Sequence, residues 1–127
     1  MSRRVLEERR IHASIREKVA GYGSPLLDEV EAALAHHDVV VVGMRQNPYP
    51  RRARQLLDRR RITYQYLEYG SYLSKWRQRL SLKLWTGWPT FPMIFVKGVL
   101  IGGFEDLERL VDSGAIEALL AAPRAAA

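Results

Sequence analysis

The sequence predicts an α/β domain in three layers: a four-stranded mixed sheet with helices on both faces and one added N-terminal helix. Three observations carry that reading. Four consecutive valines, Val39 to Val42, are apolar on both sides of a strand, which suits a central strand covered twice. Segments of helical and strand period then alternate, giving a strand–helix–strand unit. Residues 93–96 and 99–101 are two further short strands joined by Lys97-Gly98, a hairpin turn. At 127 residues and 47% hydrophobic, the chain suits one domain with a real core.

Residues 3–19 read as a highly charged helix with a narrow apolar stripe of Val5, Ile11, Ile15 and Val19, broken by Gly21-Tyr22-Gly23. Ser24 is the expected cap of the next helix, with Pro25 at its first position and a buried face of Leu26, Leu27, Val30, Ala33 and Leu34. After the valine strand comes a loop, Gly43 to Pro48. Pro50 is the expected start of a helix burying Ala53, Leu56 and Leu57. Residues 62–68 alternate as a strand. A helix over 71–84 follows, carrying Tyr72, Leu73, Trp76, Leu80 and Leu84. The stretch 85–92 holds two prolines and a glycine and must be irregular. Gly102-Gly103 introduces a helix through Phe104, Leu107, Leu110 and Val111; Asp112-Ser113-Gly114 interrupts it, and a last short helix carries Ile116, Leu119 and Leu120. The expected divisions are a helical extension at 1–23, a domain at 24–121 and a frayed tail at 122–127.

Composition excludes several functions. The chain has no cysteine, so disulfides, cysteine-bound zinc, cysteine-held iron–sulfur clusters and thiolate nucleophiles are all absent. Three histidines, His12, His36 and His37, make no metal-binding pattern, and no metal is expected. No apolar run reaches the ~20 residues of a membrane-spanning helix. The charged start, MSRRVLEERR, lacks the apolar segment of a secretory signal, so a cytoplasmic protein is expected. A net charge of +6 and a pI near 10.0 favour anionic partners without choosing among them.

The segments Gly87-Trp88-Pro89-Thr90-Phe91-Pro92, Ile94-Phe95-Val96-Lys97-Gly98 and Ile101-Gly102-Gly103 resemble the second half of glutaredoxins, a thioredoxin-like family. They are similar in particular to its single-cysteine branch. The resemblance runs from about Leu27 to Leu120, is most specific over 87–106, and makes 24–121 a glutaredoxin-like domain. It implies that Pro92 is the cis proline beside the active site and that glutathione lies against this loop, bonded strand-like to the Phe91 backbone. It also implies basic residues at the glycyl carboxylate. The γ-glutamyl end would then meet the helix start at Gly103, Phe104, Glu105 and Asp106. Free N–H groups there suit a carboxylate, while Glu105 or Asp106 can receive an ammonium.

The family's redox motif falls on Asn47-Pro48-Tyr49-Pro50, with both cysteines replaced. An asparagine amide neither ionises near neutral pH nor attacks a disulfide, and it is a poor substitute for the thiolate that holds the branch's iron–sulfur cluster. The family's lysine position falls on Met44 or on Arg45, depending on the direction of counting, and Arg45 is the favoured equivalent. Phe104 stands where the family has a small or thiol-bearing residue.

The expected role is therefore non-redox binding or regulation, with glutathione or a γ-glutamyl peptide as ligand. The expected ligand-binding residues are Arg45, Asn47, Tyr49, Phe91, Pro92, Gly103, Phe104, Glu105 and Asp106. Two alternatives stand beside it. One is a glutathione transferase-like enzyme in which the Tyr49 hydroxyl orients the glutathione sulfur. The other is an interaction module without a small ligand, forming a homodimer or docking a protein partner through helix 71–84, whose Tyr, Trp and Arg are residue types concentrated at interface hot spots. Nucleic acid is not favoured, since the aromatic spacing near the basic residues is explained by strand and helix packing.

Overall fold

The computed structural model describes residues 2–124; Met1 and the last three residues of the tail lie outside the described part. Its sheet contains β1 (Val39–Gly43), β2 (Gln65–Glu68), β3 (Met93–Val96) and β4 (Val99–Gly102) in the order β2-β1-β3-β4. β1 runs parallel to β2 and antiparallel to β3, with Val41 opposite both Tyr66 and Ile94, and β3 pairs antiparallel with β4.

The valine run explains the layering. Alternate side chains of a strand point to opposite faces. Val40 and Val42 enter a core with Leu26 and Val30 of α2 (Ser24–His36) and Leu82 of α4 (Trp76–Thr86). Val39 and Val41 enter a second core, with Ala53, Leu56 and Leu57 of α3 (Pro48–Arg59), Leu107 and Val111 of α5 (Phe104–Asp112), and Ile116 of α6 (Ala115–Ala121). All four valines are buried, each contributing roughly 1.5–3 kcal/mol by leaving water. This is the three-layer mixed α/β architecture that the sequence predicts.

Several boundaries differ from expectation. Residues 3–19 do not form one helix. A 3-10 turn spans Glu8–Arg10, and only Arg16–Ala20 (α1) is α-helical; neither contains a buried residue. Between them Ser14 donates its backbone N–H to His12 Nδ1. A charged segment with no apolar surface to cover has little to hold a long helix together. Val5, Ile15 and Val19 are accordingly exposed, although Arg3 reaches across to donate to the Thr86 carbonyl at 2.6 Å.

Ser24 is not the cap of α2 but already helical; Gly23, at a left-handed φ of 73°, marks the boundary. β2 starts at Gln65 rather than at residue 62, because the Ile62 N–H is engaged with the Leu57 carbonyl in closing α3. α3 begins two residues before Pro50. α4 starts at Trp76, not at 71. Ser71 and Ser74 hydrogen-bond the local backbone and each other, Lys75 is left-handed, and buried Arg79 donates to the carbonyls of Tyr69 and Ser74 at 3.0 and 2.5 Å. Serine competition and the arginine clamp together fix residues 71–75 as a turn. The described end of the tail is held as well: Arg124 donates to the Leu34 carbonyl and to Asp38.

Among the described residues no helix is long and apolar enough to cross a membrane. No group of three or more acidic or histidine side chains is placed to hold a metal ion among them.

Candidate functional site

The C-terminal end of β1 delivers the chain to the start of α3, where Asn47 serves two partners. Its Oδ1 accepts the Tyr49 N–H at 3.0 Å and caps the helix, leaving Pro48 and Pro50 in the first turn, where a missing N–H costs nothing. Its Nδ2 donates to the Phe91 carbonyl at 3.1 Å, across 44 residues of sequence. That bond ties the helix start to the Phe91–Pro92 loop, whose peptide bond is cis.

On the far side of this loop lies the start of α5. Gly102 adopts a φ of 115°, and a Cβ there would collide with the Asp106 carboxylate. Glycine is thus the residue that lets Asp106 fold back and accept the Gly103 N–H at 2.9 Å. Arg109 donates to the other oxygen of the same carboxylate at 2.6 Å. The N–H groups of the first helical turn, Phe104 to Asp106, have no intrahelical acceptor and present partial positive charge.

Between these two helix starts runs a cleft of about 420 Å³. Eight of the nine residues selected from sequence line it: Asn47, Tyr49, Phe91, Pro92, Gly103, Phe104, Glu105 and Asp106. Phe104 is half-buried in the wall, packed on the α3–α5 core with its ring 6.2 Å from that of Tyr49, and the cleft stays open beside it. Arg52 also packs over the Tyr49 ring, at 5.1 Å from its centroid.

Arg45 is set apart. It is exposed, lies 4.0 Å from Glu68, and lines a second cleft of about 340 Å³ that shares only Asn47 and Pro48 with the first. Met44, the other reading of the family's lysine position, is 5% exposed in the core, so only Arg45 faces outward there.

Four lining residues were not selected from sequence: Pro48, Tyr72, Trp88 and Thr90. Trp88 stands out because its indole Nε1 is buried with no hydrogen-bond partner. Its place beside Phe91-Pro92 in the irregular stretch was the available signal. Tyr72 arrives from the turn that Arg79 clamps, which sequence periodicity had assigned to a helix. The first cleft carries two carboxylates and no basic side chain in its lining. Its accessible donors include the hydroxyls of Tyr49, Tyr72 and Thr90, beside the α5 backbone.

A mixed sheet in the order β2-β1-β3-β4, flanked by helices, with a cleft built on a cis-proline loop and two helix starts, defines a thioredoxin-like protein. Comparison with known proteins narrows the class. The family model described as Glutaredoxin matches residues 39–101. A "Glutaredoxin-like protein" of Dictyostelium discoideum is 40% identical over 115 residues, covering 91% of this chain and 92% of that protein. Glutaredoxin 3 of Danio rerio is 42% identical over 53 residues, 40% of this chain, which spans only 16% of that longer protein. The crystal structure of a buckwheat glutaredoxin–glutathione complex superposes with a TM-score of 0.69 at 23% identity, over 78% of this chain and 90% of that one, a likeness of fold. The chain belongs to the glutaredoxin family. Both cysteine positions of the family's redox motif are occupied by other residues, Asn47 and Pro50, and no cysteine stands elsewhere, so the protein lacks the thiol that thiol–disulfide exchange requires.

Proposed function

We propose that this protein is a non-redox binding member of its family and that the cleft between α3 and α5 takes glutathione or a γ-glutamyl peptide. The observation that carries the reading is the convergence of Asn47, Tyr49, Phe91, Pro92 and the first turn of α5 on one open cleft. The ligand in the buckwheat complex gives the ligand class.

The chemistry of the lining supports a particular orientation. Glu105 and Asp106 place negative charge where the γ-glutamyl ammonium would sit, and the free amides of α5 serve its carboxylate. The hydroxyls of Tyr49, Tyr72 and Thr90 line the same cleft as donors, and the peptide carbonyls of the ligand can accept from them. Because Asn47 already occupies one lone pair of the Phe91 oxygen, the ligand backbone has the remaining one. Arg45 lies outside this cleft and has no part in the proposal.

Isothermal calorimetry tests the reading. Reduced glutathione is expected to bind with a Kd at or below about 1 mM. Its N-acetylated analogue, lacking the ammonium, is expected to bind at least several-fold more weakly. No heat from glutathione up to about 10 mM would remove the ligand assignment.

A second reading has its own observation. Tyr72, Leu73, Trp76 and Leu84 are all exposed on the 71–75 turn and α4, Leu73 at 90%. Such apolar side chains are a liability unless something covers them, and a second copy or a protein partner would do so. Sedimentation of the protein beside its Leu73→Glu, Trp76→Glu variant tests this reading; a monomer in both cases that binds glutathione normally would leave the first reading alone.

A further inference from the structure

We infer that the second cleft, between the start of α3 and the C-terminal ends of β1 and β2, is a binding site for a small phosphate-bearing anion. Arg45, Arg51 and Arg54 line it, with Tyr66, Gln46 and a single carboxylate, Glu68. Three guanidinium groups against one carboxylate leave a local charge of +2 in a concavity of about 340 Å³. That volume is at the lower end of small-ligand sites and suits a phosphate or diphosphate group.

The arginines here differ in setting from those on the rest of α3. Arg59, and Arg60 and Arg61 beyond it, are exposed and line neither cleft. Arg54 instead lies over the Tyr66 ring, 4.0 Å from its centroid, with Nε buried and without any protein acceptor. Among the described residues neither Arg51 nor Arg54 has a carboxylate within 4.0 Å, and Arg45 meets Glu68 only at that limit. The stacked guanidinium is held in place by Tyr66, and the excess positive charge lining the cleft favours an oxyanion.

Phosphate is favoured over carboxylate by donor number. Three planar forks lining one concavity match a tetrahedral group with three or more oxygens, whereas a carboxylate is saturated by one or two of them. Tyr66 adds a hydroxyl donor. It now points at Glu68 Oε1, 3.1 Å away, so Glu68 acts as an internal competitor for the same donors. Its arginines lie outside the α3–α5 cleft, with which it shares only Asn47 and Pro48, so its failure would leave the glutathione reading untouched.

The test is an amide chemical-shift titration with inorganic pyrophosphate and, in parallel, a nucleoside diphosphate. Saturating shifts confined to residues 43–54 and 65–69 are expected, with a Kd at or below about 1 mM. The Arg45→Ser, Arg51→Ser double variant changes only exposed side chains and is expected to bind about fivefold to tenfold more weakly. Glu68→Gln is expected to bind more tightly. Equal affinities for the two probes would show that phosphate alone is read; a tighter nucleotide would show that the rest of the ligand is contacted, and either supports the site. No saturation up to about 10 mM, shifts scattered over the other surface arginines, or an unchanged Kd in the double variant would overturn it.

Discussion

Replacing Asn47 by alanine removes two interactions at once, and the structure allows them to be separated. Loss of the cap on Tyr49 N–H should cost about 1 kcal/mol. Loss of the donor to the Phe91 carbonyl, a half-buried contact, should cost about another 1 kcal/mol. The sum, roughly 2 kcal/mol, corresponds to a fall in Tm of about 7 °C for a domain of this size. Asn47→Ser retains a capping oxygen but cannot reach across to Phe91, so it should lose only about half as much. Urea unfolding followed by tryptophan fluorescence gives the three stabilities, provided the m-values agree. The reasoning fails if serine and alanine are equally destabilising, since the cap would then contribute nothing. It also fails if alanine costs less than about 0.5 kcal/mol, since neither bond would then support the helix start.

Alkaline pH should weaken the fold through Tyr66, whose ordinary value of 10.0 is pushed up to about 12 by burial first and by the neighbouring Glu68 second. The native protein then keeps a proton that the unfolded chain releases, so this contribution is intact below pH 10 and is lost as pH rises toward 12. Tyr69, raised by burial and by its bond to Glu29, acts in the same direction. Urea midpoints measured across that window should fall less steeply in Tyr66→Phe; an identical slope would contradict the assignment. Arg79→Met should cost about 2–4 kcal/mol by stranding the Tyr69 and Ser74 carbonyls, and amide exchange should quicken at residues 71–75, bringing Tyr72 out of register with the cleft. Unchanged exchange there would show that the turn holds without its clamp. Asn47→Cys places a thiol at the α3 N-terminus, where the helix dipole favours the thiolate, and should introduce measurable reduction of a mixed glutathione disulfide where the unmodified protein has none.

Much of the layering was legible in the residues. A run of four valines suits a strand buried on both faces, and the two cores found on either side of β1 divide those valines in alternation. The hairpin at Lys97-Gly98 and the helix start after Gly102-Gly103 were local signals too, each fixed by backbone chemistry within a few residues. Helix ends were less legible. Ser71 and Ser74 sit at helical spacing, and nothing local announces that Arg79 will claim the carbonyls of the turn.

The absence of cysteine was settled by the sequence alone, because no arrangement of the chain can supply an atom that is missing. Which residues share a cleft was a different matter. Asn47 and Phe91 are 44 positions apart and meet only because β1 and β3 pair antiparallel, which brings the loop after one and the loop before the other to the same end of the sheet. The sequence left open whether Met44 or Arg45 takes the family's lysine position; just past β1 the chain buries Met44 in the core and leaves Arg45 exposed at the rim of the neighbouring cleft. Partition of the arginines was likewise tertiary, since stacking on Tyr66 needs the edge strand beside α3. Side-chain chemistry is carried by each residue separately, whereas concavity, burial and shared charge exist only once distant segments are packed together.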